Sequence, residues 1–392
     1  MNKKTKRCPR TTTLKRRIVD ISGDKQRVYV IKSCMNPFEL TRGLIDIPSI
    51  SGDEAAVGNF LANHLENLSY RVERQEIAGG RANIIATTNA LPRVVLSTHI
   101  DTVPPHISSS EDAGYIYGRG ACDTKGIIAA QIIAAENLRR AGVKEIGLLF
   151  TVEEETNSNG ARLANTHTLA SECRYLINGE PTQNKLATGS KGSLRLRLTT
   201  TGRAAHSAYP EQGESAIEKL LDVLADVRAA RWPQDDFFGD TTCNIGVIGG
   251  GAASNIIPAH AEADLHIRLV SSSTIIKEIL ERIIAERARI EYLSIAEPVR
   301  LLTLENFPQE LMRFTTDIPH LTNWGTPLLL GPGSILDAHT AGERIGKHEI
   351  TEAINLYERL VRTLLSRVEN EETQTPAIND KARAVPSEDY TR

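Results

Sequence analysis

Two continuously apolar segments constrain the fold of this 392-residue chain more than any other feature. Residues 94–96 and 146–150 contain only hydrophobic residues and one glycine. This pattern is typical of strands that are covered on both faces by helices. Between them, residues 126–140 have the apolar spacing of a helix. Because strands and helices alternate in this way, the sequence predicts an α/β domain with a mixed, largely parallel sheet flanked by helices.

The pattern changes near residue 190. Residues 193–199 alternate apolar and polar side chains, as a half-exposed strand does. From there to residue 300 the predicted element order is β-α-β-β-α-β, the ferredoxin-like arrangement. We therefore predict one larger α/β domain made of residues 35–189 and 301–368. It is interrupted by an inserted α+β domain of residues 190–300.

Both ends of the chain lie outside this predicted fold. Residues 1–34 contain 11 Lys and Arg but only two Asp, although the whole chain has a net charge of −3. The domain pattern begins at Met35, so this basic N-terminal extension is either an over-extended start or a non-cleaved targeting arm. An amphipathic helix is predicted over residues 347–366. Residues 369–392, which have few apolar groups, predict a disordered tail.

Composition excludes several classes of protein. The near-neutral net charge argues against a dedicated nucleic-acid binder, and no apolar run reaches the roughly 18 residues of a membrane-spanning helix. The five cysteines are scattered without a Cys-x-x-Cys pair, which favours neither a disulfide framework nor a thiolate zinc site. We therefore expect a cytoplasmic protein with no nucleic-acid or membrane partner.

Histidine and acidic residues follow the predicted strands directly. His99 and Asp101 come after the first apolar run, and their spacing of two places both side chains on the same side of a strand. A carboxylate in this position can orient the ring of a metal-bound histidine. A histidine with a purely structural role is an equal alternative for this motif alone.

Further candidate ligands are spread along the chain. Asp123 lies in a glycine-flanked turn before the helix 126–140, where a helix cap is the alternative. Residues 153–155 are three consecutive glutamates after the second apolar run, where a solvated acidic loop is the alternative. Glu180 follows a short apolar segment, and His339 lies near the C-terminal end. Nitrogen and oxygen donors without sulfur suit a hydrolytic zinc or a pair of divalent metals.

Together these motifs resemble the metallopeptidase and deacylase family of acetylornithine deacetylase, succinyl-diaminopimelate desuccinylase, aminoacylase and glutamate carboxypeptidase, over about residues 35–366. The resemblance implies two divalent ions per chain, Zn²⁺ or Co²⁺, and a set of five metal ligands. These are His99, Asp123, Glu155, Glu180 and His339. It also implies that Asp123 bridges both ions, that Asp101 orients His99 and that Glu154 is the general base. Because residues 153–155 are all glutamate, the assignment of base and ligand to Glu154 and Glu155 could be shifted by one residue along the chain.

The inserted segment extends the resemblance. Residues 202–207, Gly-Arg-Ala-Ala-His-Ser, match a motif of the family's dimerisation domain. The match implies a homodimer in which His206 stabilises the oxyanion at the partner subunit's site. Asn255 and Arg268 resemble substrate-binding positions, with a surface cation as an equal alternative for Arg268. Gly331 and Gly333 resemble a flexible segment near the substrate carboxylate.

The expected function is a metal-dependent amidohydrolase that removes a short acyl group from an N-acyl amino acid. Activity of the acetylornithine deacetylase type is the first expectation. A desuccinylase, or a dipeptidase or carboxypeptidase of the same family, is the alternative. A metal-free binding protein on the same fold is the alternative from another class.

A smaller expectation concerns the second helix of the chain. Ser51 and Glu54 have the spacing of a capping box. The spacing therefore predicts that their side chains cap the next helix, whose apolar positions include Val57, Phe60, Leu61 and Leu65.

Overall fold

The computed structural model describes residues 36–374. The predicted basic extension and residues 375–392 of the predicted tail lie outside the described residues. The α-helices of the described part are, in chain order, α1 (Pro37–Ile45), α2 (Ala55–Asn67), α3 (Gly126–Arg140), α4 (Asn159–Ala164), α5 (Ala216–Ala229), α6 (Ser273–Ile284) and α7 (Lys347–Gln374).

The strands of the first half are β1 (Arg71–Ala78), β2 (Arg81–Thr87), β3 (Val94–His99), β4 (Ser110–Glu111), β5 (Tyr115–Tyr117), β6 (Ile146–Thr151), β7 (Tyr175–Asn178), β8 (Leu186–Ser190) and β9 (Gly192–Thr201). Those of the second half are β10 (Gln234–Asp235), β11 (Gly239–Asp240), β12 (Thr242–Gly250), β13 (His260–Leu269), β14 (Arg289–Ala296), β15 (Val299–Arg300), β16 (Gln309–Met312), β17 (Thr326–Leu329) and β18 (Arg344–Gly346).

The main sheet has six strands in the order β1-β2-β6-β3-β7-β17. Strands β6, β3, β7 and β17 are parallel, whereas β2 pairs antiparallel with β6 and with β1. Every residue of β3 and of β6 is buried. The predicted mixed, largely parallel sheet is thus confirmed, and the two apolar runs form adjacent strands at its centre.

Helices cover this sheet as the apolar runs require. Helix α3 contacts β3 and β6, and α1 and α7 pack against α3. Side chains that alternate along the strands, such as Val95 and Leu149, pack in another cluster with α4 and the buried Trp324. Because side chains of a strand alternate between its two faces, the continuous apolar runs supply a core to both.

The inserted segment forms a separate four-stranded sheet in the order β12-β13-β9-β14, with all pairs antiparallel. Alternate residues of β9, such as Leu194, Leu196 and Leu198, are buried against α5 and α6. The predicted ferredoxin-like insert is therefore confirmed. We call this insert, residues 192–296, the lid.

Two local predictions were wrong. Helix α7 continues to Gln374, eight residues beyond the predicted end, and includes residues that we expected to be disordered. Two acidic residues of this last part, Glu371 and Glu372, pair with Arg174 at 2.6 Å and Arg93 at 2.9 Å. Arg93 and Arg174 lie immediately before β3 and β7, so these pairs join the helix end to distant segments, which acidic composition alone does not predict.

The predicted capping box is also absent. Glu54 occupies the N-cap position of α2 without a capping hydrogen bond from its side chain. The hydroxyl of Ser51 donates instead to Oδ2 of Asp101, at 2.6 Å. A contact 50 positions along the chain replaces the local one that the spacing predicted.

Among residues 36–374, no helix combines the length and the apolar character that a membrane crossing requires.

Trp324 offers a test of the described core. Its side chain is 1% exposed, and its indole N–H donates to the carbonyl of Ala164 at 3.1 Å. We expect Trp324→Ala to lower the free energy of unfolding by about 3 to 5 kcal/mol in chemical denaturation, because a large buried side chain leaves a cavity. Trp324→Phe retains much of the ring and should lose less. Trp232, which is only partly buried in the lid, serves as the control in a Trp232→Phe variant. Equal stability of Trp324→Ala and the wild type would contradict this packing.

Candidate metal centre

The candidate site lies at the carboxyl ends of the parallel strands. His99 ends β3, the loop with residues 152–158 follows β6, and Glu180 follows β7. Parallel neighbours bring these ends to one edge of the sheet, where open α/β sheets bind their ligands. Asp123 lies in the kinked segment Ala121–Lys125, immediately before α3, and its own backbone is not helical (φ −125°, ψ 78°).

Asp123 is shared by two groups of candidate ligands. One group is His99, Asp123 and Glu180, and the other is Asp123, Glu155 and His339; within each, the ligand atoms lie within 4.8 Å of one another. Oδ1 of Asp123 is 3.0 Å from Nε2 of His99, whereas Oδ2 is 3.2 Å from Nε2 of His339. The structure thus brings all five predicted ligands together. The arrangement suits a bridging carboxylate, and the ligand roles stay a prediction.

The donor set fits a pair of divalent cations. Oε1 of Glu180 is buried and has no hydrogen-bond partner among the described residues. Burial raises the pKa of Glu180 well above its ordinary value, and Asp123 raises it further. Burial and the charge of Asp123 likewise raise the pKa of Glu155. Since clustered carboxylates repel one another in a buried site, bound cations would neutralise them and satisfy the unpartnered oxygen.

The negative charge of Asp123 raises the pKa of both histidines, His99 and His339. Burial alone would lower the pKa of His99, but the side chains of Asp101 and Asp123 raise it well above its ordinary value. Hydrogen bonds with Asp123 and Glu155 raise the pKa of His339 to about 10. The carboxylates of the site therefore favour a positive charge beside them, either on the two histidine rings or on a bound cation.

Asp101 connects the first histidine with the acidic loop. It is fully buried, and its Oδ1 lies 3.3 Å from Nδ1 of His99. Its carboxylate also accepts hydrogen bonds from the backbone N–H groups of Glu154 and Glu155, both at 3.1 Å, and from Ser51. Burial opposes the ionised form, but these partners lower the pKa of Asp101. One carboxylate therefore orients both the ring and the loop.

The three consecutive glutamates have three different surroundings. Glu153 adopts a φ of 62° and pairs with Arg81 and with Asn159. Glu155 lies 2.9 Å from Nε2 of His339. Glu154 belongs to neither group of candidate ligands, and burial raises its pKa well above the ordinary value. The geometry therefore favours the register in which Glu155 is the ligand and Glu154 is free for proton transfer.

Several charged residues around the cluster escaped the sequence analysis. The buried ammonium of Lys125 donates to Ser49 Oγ, at 2.7 Å, and to the carbonyl of Ile100. Arg119 and Glu343 form a buried pair at 2.6 Å, and Glu343 accepts a hydrogen bond from the backbone N–H of Asp123. Lys125 and Arg119 lie in the motif around Asp123, and Glu343 lies in the motif around His339. Their positions within these motifs are the only sequence signal that could have identified them as part of the site.

Two predicted lid residues lie apart from this cluster. His206 is exposed, and its Nδ1 accepts a hydrogen bond from the backbone N–H of Ala208 at 3.1 Å. Asn255 is exposed, and its backbone carbonyl accepts a hydrogen bond from the backbone N–H of Ser207 at 3.0 Å. Within residues 36–374, no hydrogen bond or ion pair joins either side chain to the five candidate ligands. Their predicted roles toward a partner subunit and a substrate stay predictions.

Arg268, unlike these two residues, interacts electrostatically with Glu154. It is half-buried on β13, and its Nη1 donates to Oγ1 of Thr315 at 3.2 Å. Burial lowers the pKa of Arg268, whereas the negative charge of Glu154 raises it. A half-buried guanidinium that interacts with Glu154 favours the substrate-binding role over the alternative of a surface cation, and that role stays a prediction.

Gly331 and Gly333 have a packing reason to be glycine. A Cβ on Gly331 would lie 2.4 Å from the carbonyl oxygen of Glu180. Gly333 has a φ of 86°, and a Cβ there would lie 2.6 Å from Cβ of Cys122. Both are buried against candidate ligands or their neighbours, and the expected contact with a substrate carboxylate stays a prediction.

Comparison of the sequence with known proteins identifies a family and several relatives. A family model described as the peptidase dimerisation domain matches residues 188–292. A peptidase M20 domain-containing protein of Schizosaccharomyces pombe is 35% identical over 337 residues, which cover 83% of this chain and 84% of the relative. A probable carboxypeptidase of Emericella nidulans is 34% identical over 386 residues, with coverage of 85% and 91%.

Solved structures share the fold. The M20 family metallo-carboxypeptidase Sso-CP2 from Sulfolobus solfataricus aligns with a TM-score of 0.69 at 16% identity, covering 83% of this chain and 98% of its own. Aminopeptidase PepT from Bacillus cereus aligns with a TM-score of 0.66 at 20% identity, covering 84% and 98%.

The extent of these matches defines the class of protein. The chain belongs to the M20 peptidase family. It is a metallopeptidase that hydrolyses amide bonds, which confirms the resemblance carried by the sequence motifs.

Asp101 provides the test of the site's architecture. We expect Asp101→Ala to lower metal affinity and kcat/KM roughly 10- to 100-fold, because it removes the partner that orients a histidine ligand. Ser51→Ala removes only one of the hydrogen bonds to that carboxylate and should lose less. Calorimetric titration of the metal-free protein with Zn²⁺ measures the affinity. An Asp101→Ala variant that binds Zn²⁺ as tightly as the wild type would show that Asp101 does not orient His99.

Proposed function

We propose that this chain is a metal-dependent peptidase of the carboxypeptidase or dipeptidase type, which releases the C-terminal residue of short peptides. The observation that carries the proposal is the pair of histidine–carboxylate groups that share Asp123, with the half-buried Glu154 in electrostatic contact with His99 and Glu180. The curated relative in Emericella nidulans is named a probable carboxypeptidase. This name, and that of the metallo-carboxypeptidase from Sulfolobus solfataricus, support peptide hydrolysis rather than the expected removal of an acetyl group from acetylornithine.

The residues divide between two proposed metal positions. His99, Asp123 and Glu180 would hold one divalent ion, and Asp123, Glu155 and His339 the other. Zn²⁺ is the first choice and Co²⁺ the alternative, since the donors are nitrogen and oxygen atoms without sulfur. Bound ions of this kind supply Lewis acidity, which polarises a carbonyl and acidifies water.

Glu154 is the proposed general base. Its carboxylate interacts electrostatically with His99, Glu180 and Glu155 but belongs to neither group of ligands, so it is free to take the proton of the attacking water and deliver it to the leaving amine. Burial raises its pKa, which makes the carboxylate a stronger base. A raised pKa brings a carboxyl group nearer to the range in which it exchanges protons at neutral pH.

Arg268 is the proposed anchor for the C-terminal carboxylate of the peptide. It lies within the field of Glu154, and guanidinium groups bind carboxylates through paired hydrogen bonds. Asn255 is the second proposed substrate contact. Together they would select a peptide with a free C terminus.

The lid is the proposed surface for a homodimer. Its edge strand β12 exposes Val247 and Ile248, which are 59% and 56% accessible, and the family model that matches this region describes a dimerisation domain. His206 is exposed on the same lid. We therefore assign His206 to the oxyanion of the partner subunit's site.

The glutamate register is tested by two matched variants. Glu154→Gln should retain its metal and lose roughly 100- to 10,000-fold in kcat, because an amide cannot accept the proton. Glu153→Gln should keep most of the activity, because Glu153 faces Arg81 rather than the cluster. Both are assayed on dipeptides, N-acetylornithine and N-succinyl-diaminopimelate, with metal content measured in parallel. Loss of activity in Glu153→Gln alone would shift the assignment by one residue.

The choice of substrate is tested at Arg268. Arg268→Met should raise KM roughly 10- to 100-fold for a peptide with a free C terminus, since it removes a charged hydrogen bond. It should have little effect on the slow cleavage of the same peptide with an amidated C terminus. Arg197→Met, on the same sheet and paired with Asp264, is the control. Faster cleavage of N-acetylornithine than of any peptide would overturn the proposed specificity.

The contribution of a partner subunit is tested by mixing two inactive variants. His206→Ala and Glu154→Gln each lack one required group, but a mixed dimer places an intact Glu154 opposite an intact His206. Activity should therefore return when the two proteins are unfolded together and refolded. Light scattering checks that each is a dimer. No recovery from confirmed mixed dimers would show that His206 does not act across the interface.

A further inference from the structure

A buried aspartate outside both groups of candidate ligands contacts the acidic loop. Asp317 is 1% exposed and lies after the lid, at the start of the short 3₁₀ helix Ile318–His320. Its Oδ2 accepts a hydrogen bond from the hydroxyl of Thr151 at 2.7 Å. It belongs to neither group, so a role as a metal ligand does not explain its burial.

The contact of Asp317 lies at the start of the acidic loop. Thr151 is the last residue of β6, and in the sheet it pairs with His99. The other carboxylate oxygen of Asp317, Oδ1, is buried and has no hydrogen-bond partner among the described residues. Glu154 and Glu155 follow Thr151 by three and four positions. The hydroxyl of Thr151 thus joins Asp317 to the start of the segment that carries the proposed base and a proposed ligand.

The backbone of this loop needs such support. Glu153 and Ser158 both have positive φ values, 62° and 52°, which non-glycine residues adopt at a cost in free energy. The N–H of Ser158 donates to the carbonyl of Glu153 at 2.7 Å, which closes the loop. Asp101 holds the middle of the loop through two backbone N–H groups. Asp317 holds the start of the loop through Thr151.

The segment before Asp317 also reaches the lid. Oγ1 of Thr315 accepts a hydrogen bond from Arg268 and donates to the carbonyl of Lys191 at 2.9 Å, next to the start of the lid strand β9. A single residue, Thr316, therefore separates Thr315, which contacts the proposed substrate anchor, from Asp317, which contacts Thr151 at the start of the acidic loop.

We propose that Asp317 is a positioning residue for Glu154 and Glu155, acting through the hydroxyl of Thr151. The proposal rests on the proposed function, because it assigns Asp317 a role only through the base and the ligand named there. Asp317 fixes the end of β6, so that the loop presents Glu154 toward the attacking water and Glu155 toward His339. It neither touches the substrate nor contributes a metal ligand.

The test compares variants that break or keep the hydrogen bond from Thr151. Asp317→Ala and Thr151→Val remove it, and each should lower kcat roughly 10- to 100-fold with little change in KM. Asp317→Asn keeps an acceptor oxygen and Thr151→Ser keeps the hydroxyl, so both should retain most of the activity. Glu136→Gln changes a buried carboxylate elsewhere, on α3, where it pairs with two arginines, and should leave kcat unchanged.

A second readout does not depend on hydrolysis. Titration of the metal-free proteins with Zn²⁺ should show that Asp317→Ala and Thr151→Val weaken the site of Glu155 roughly 10- to 100-fold, whereas the conservative variants and Glu136→Gln do not. If Asp317→Ala fails to fold, the Thr151 pair carries the test. Wild-type kcat and Zn²⁺ affinity in Thr151→Val would overturn the proposal. A wild type that binds Zn²⁺ but hydrolyses no peptide would overturn the proposed function, while the affinities would still decide the role of Asp317.

Discussion

The structure depends on the burial of several carboxylates at one edge of the main sheet. Asp101, Asp123 and Glu180 are each at most 5% exposed, and Glu155 lies beside them. Negative groups packed so closely in a poorly solvated site are stable only when protons, cationic partners or metal ions neutralise them. Asp123 shows the arrangement most clearly, because each of its two oxygens faces a different histidine. The two groups of candidate ligands that share Asp123 therefore mark the two positions at which bound cations would neutralise these carboxylates.

The surrounding fold explains how these carboxylates are held in place. Two fully buried parallel strands end side by side and direct His99 and the acidic loop to the same edge. Asp101 then joins the ring of His99 to the backbone of that loop, while the buried pair of Arg119 and Glu343 supports Asp123. Because Asp101, Asp123 and Glu155 each have a partner on another element, their positions are set by the packing of the whole domain rather than by a single loop.

Much of this arrangement could be predicted from the sequence because it follows short-range rules. Continuous apolar runs predicted the central strands, alternation predicted the lid sheet, and the spacing of His99 and Asp101 predicted that they share a side. The motifs around Asp123 and His339 supplied the remaining candidates. Each of these signals lies within a few residues of the feature that it predicts.

The parts that escaped prediction depend on contacts between distant segments. Ser51 has the spacing of a helix cap, yet it binds Asp101. The end of α7 has the composition of a disordered tail, yet it pairs with Arg93 and Arg174, which lie immediately before β3 and β7. Asp317 lies in no motif, and its contact with Thr151 spans 166 positions. No local pattern reports such contacts, because they exist only once the sheet has brought the segments together.

The central claim is that Asp123 serves both metal positions, and metal stoichiometry tests it most directly. The wild type, Asp123→Ala, Glu180→Ala and Glu155→Ala can be loaded with Zn²⁺, freed of excess metal and analysed for zinc per folded chain. The account predicts two ions in the wild type, one in each glutamate variant and almost none in Asp123→Ala, because only Asp123 belongs to both groups. Two tightly bound ions in Asp123→Ala would contradict it.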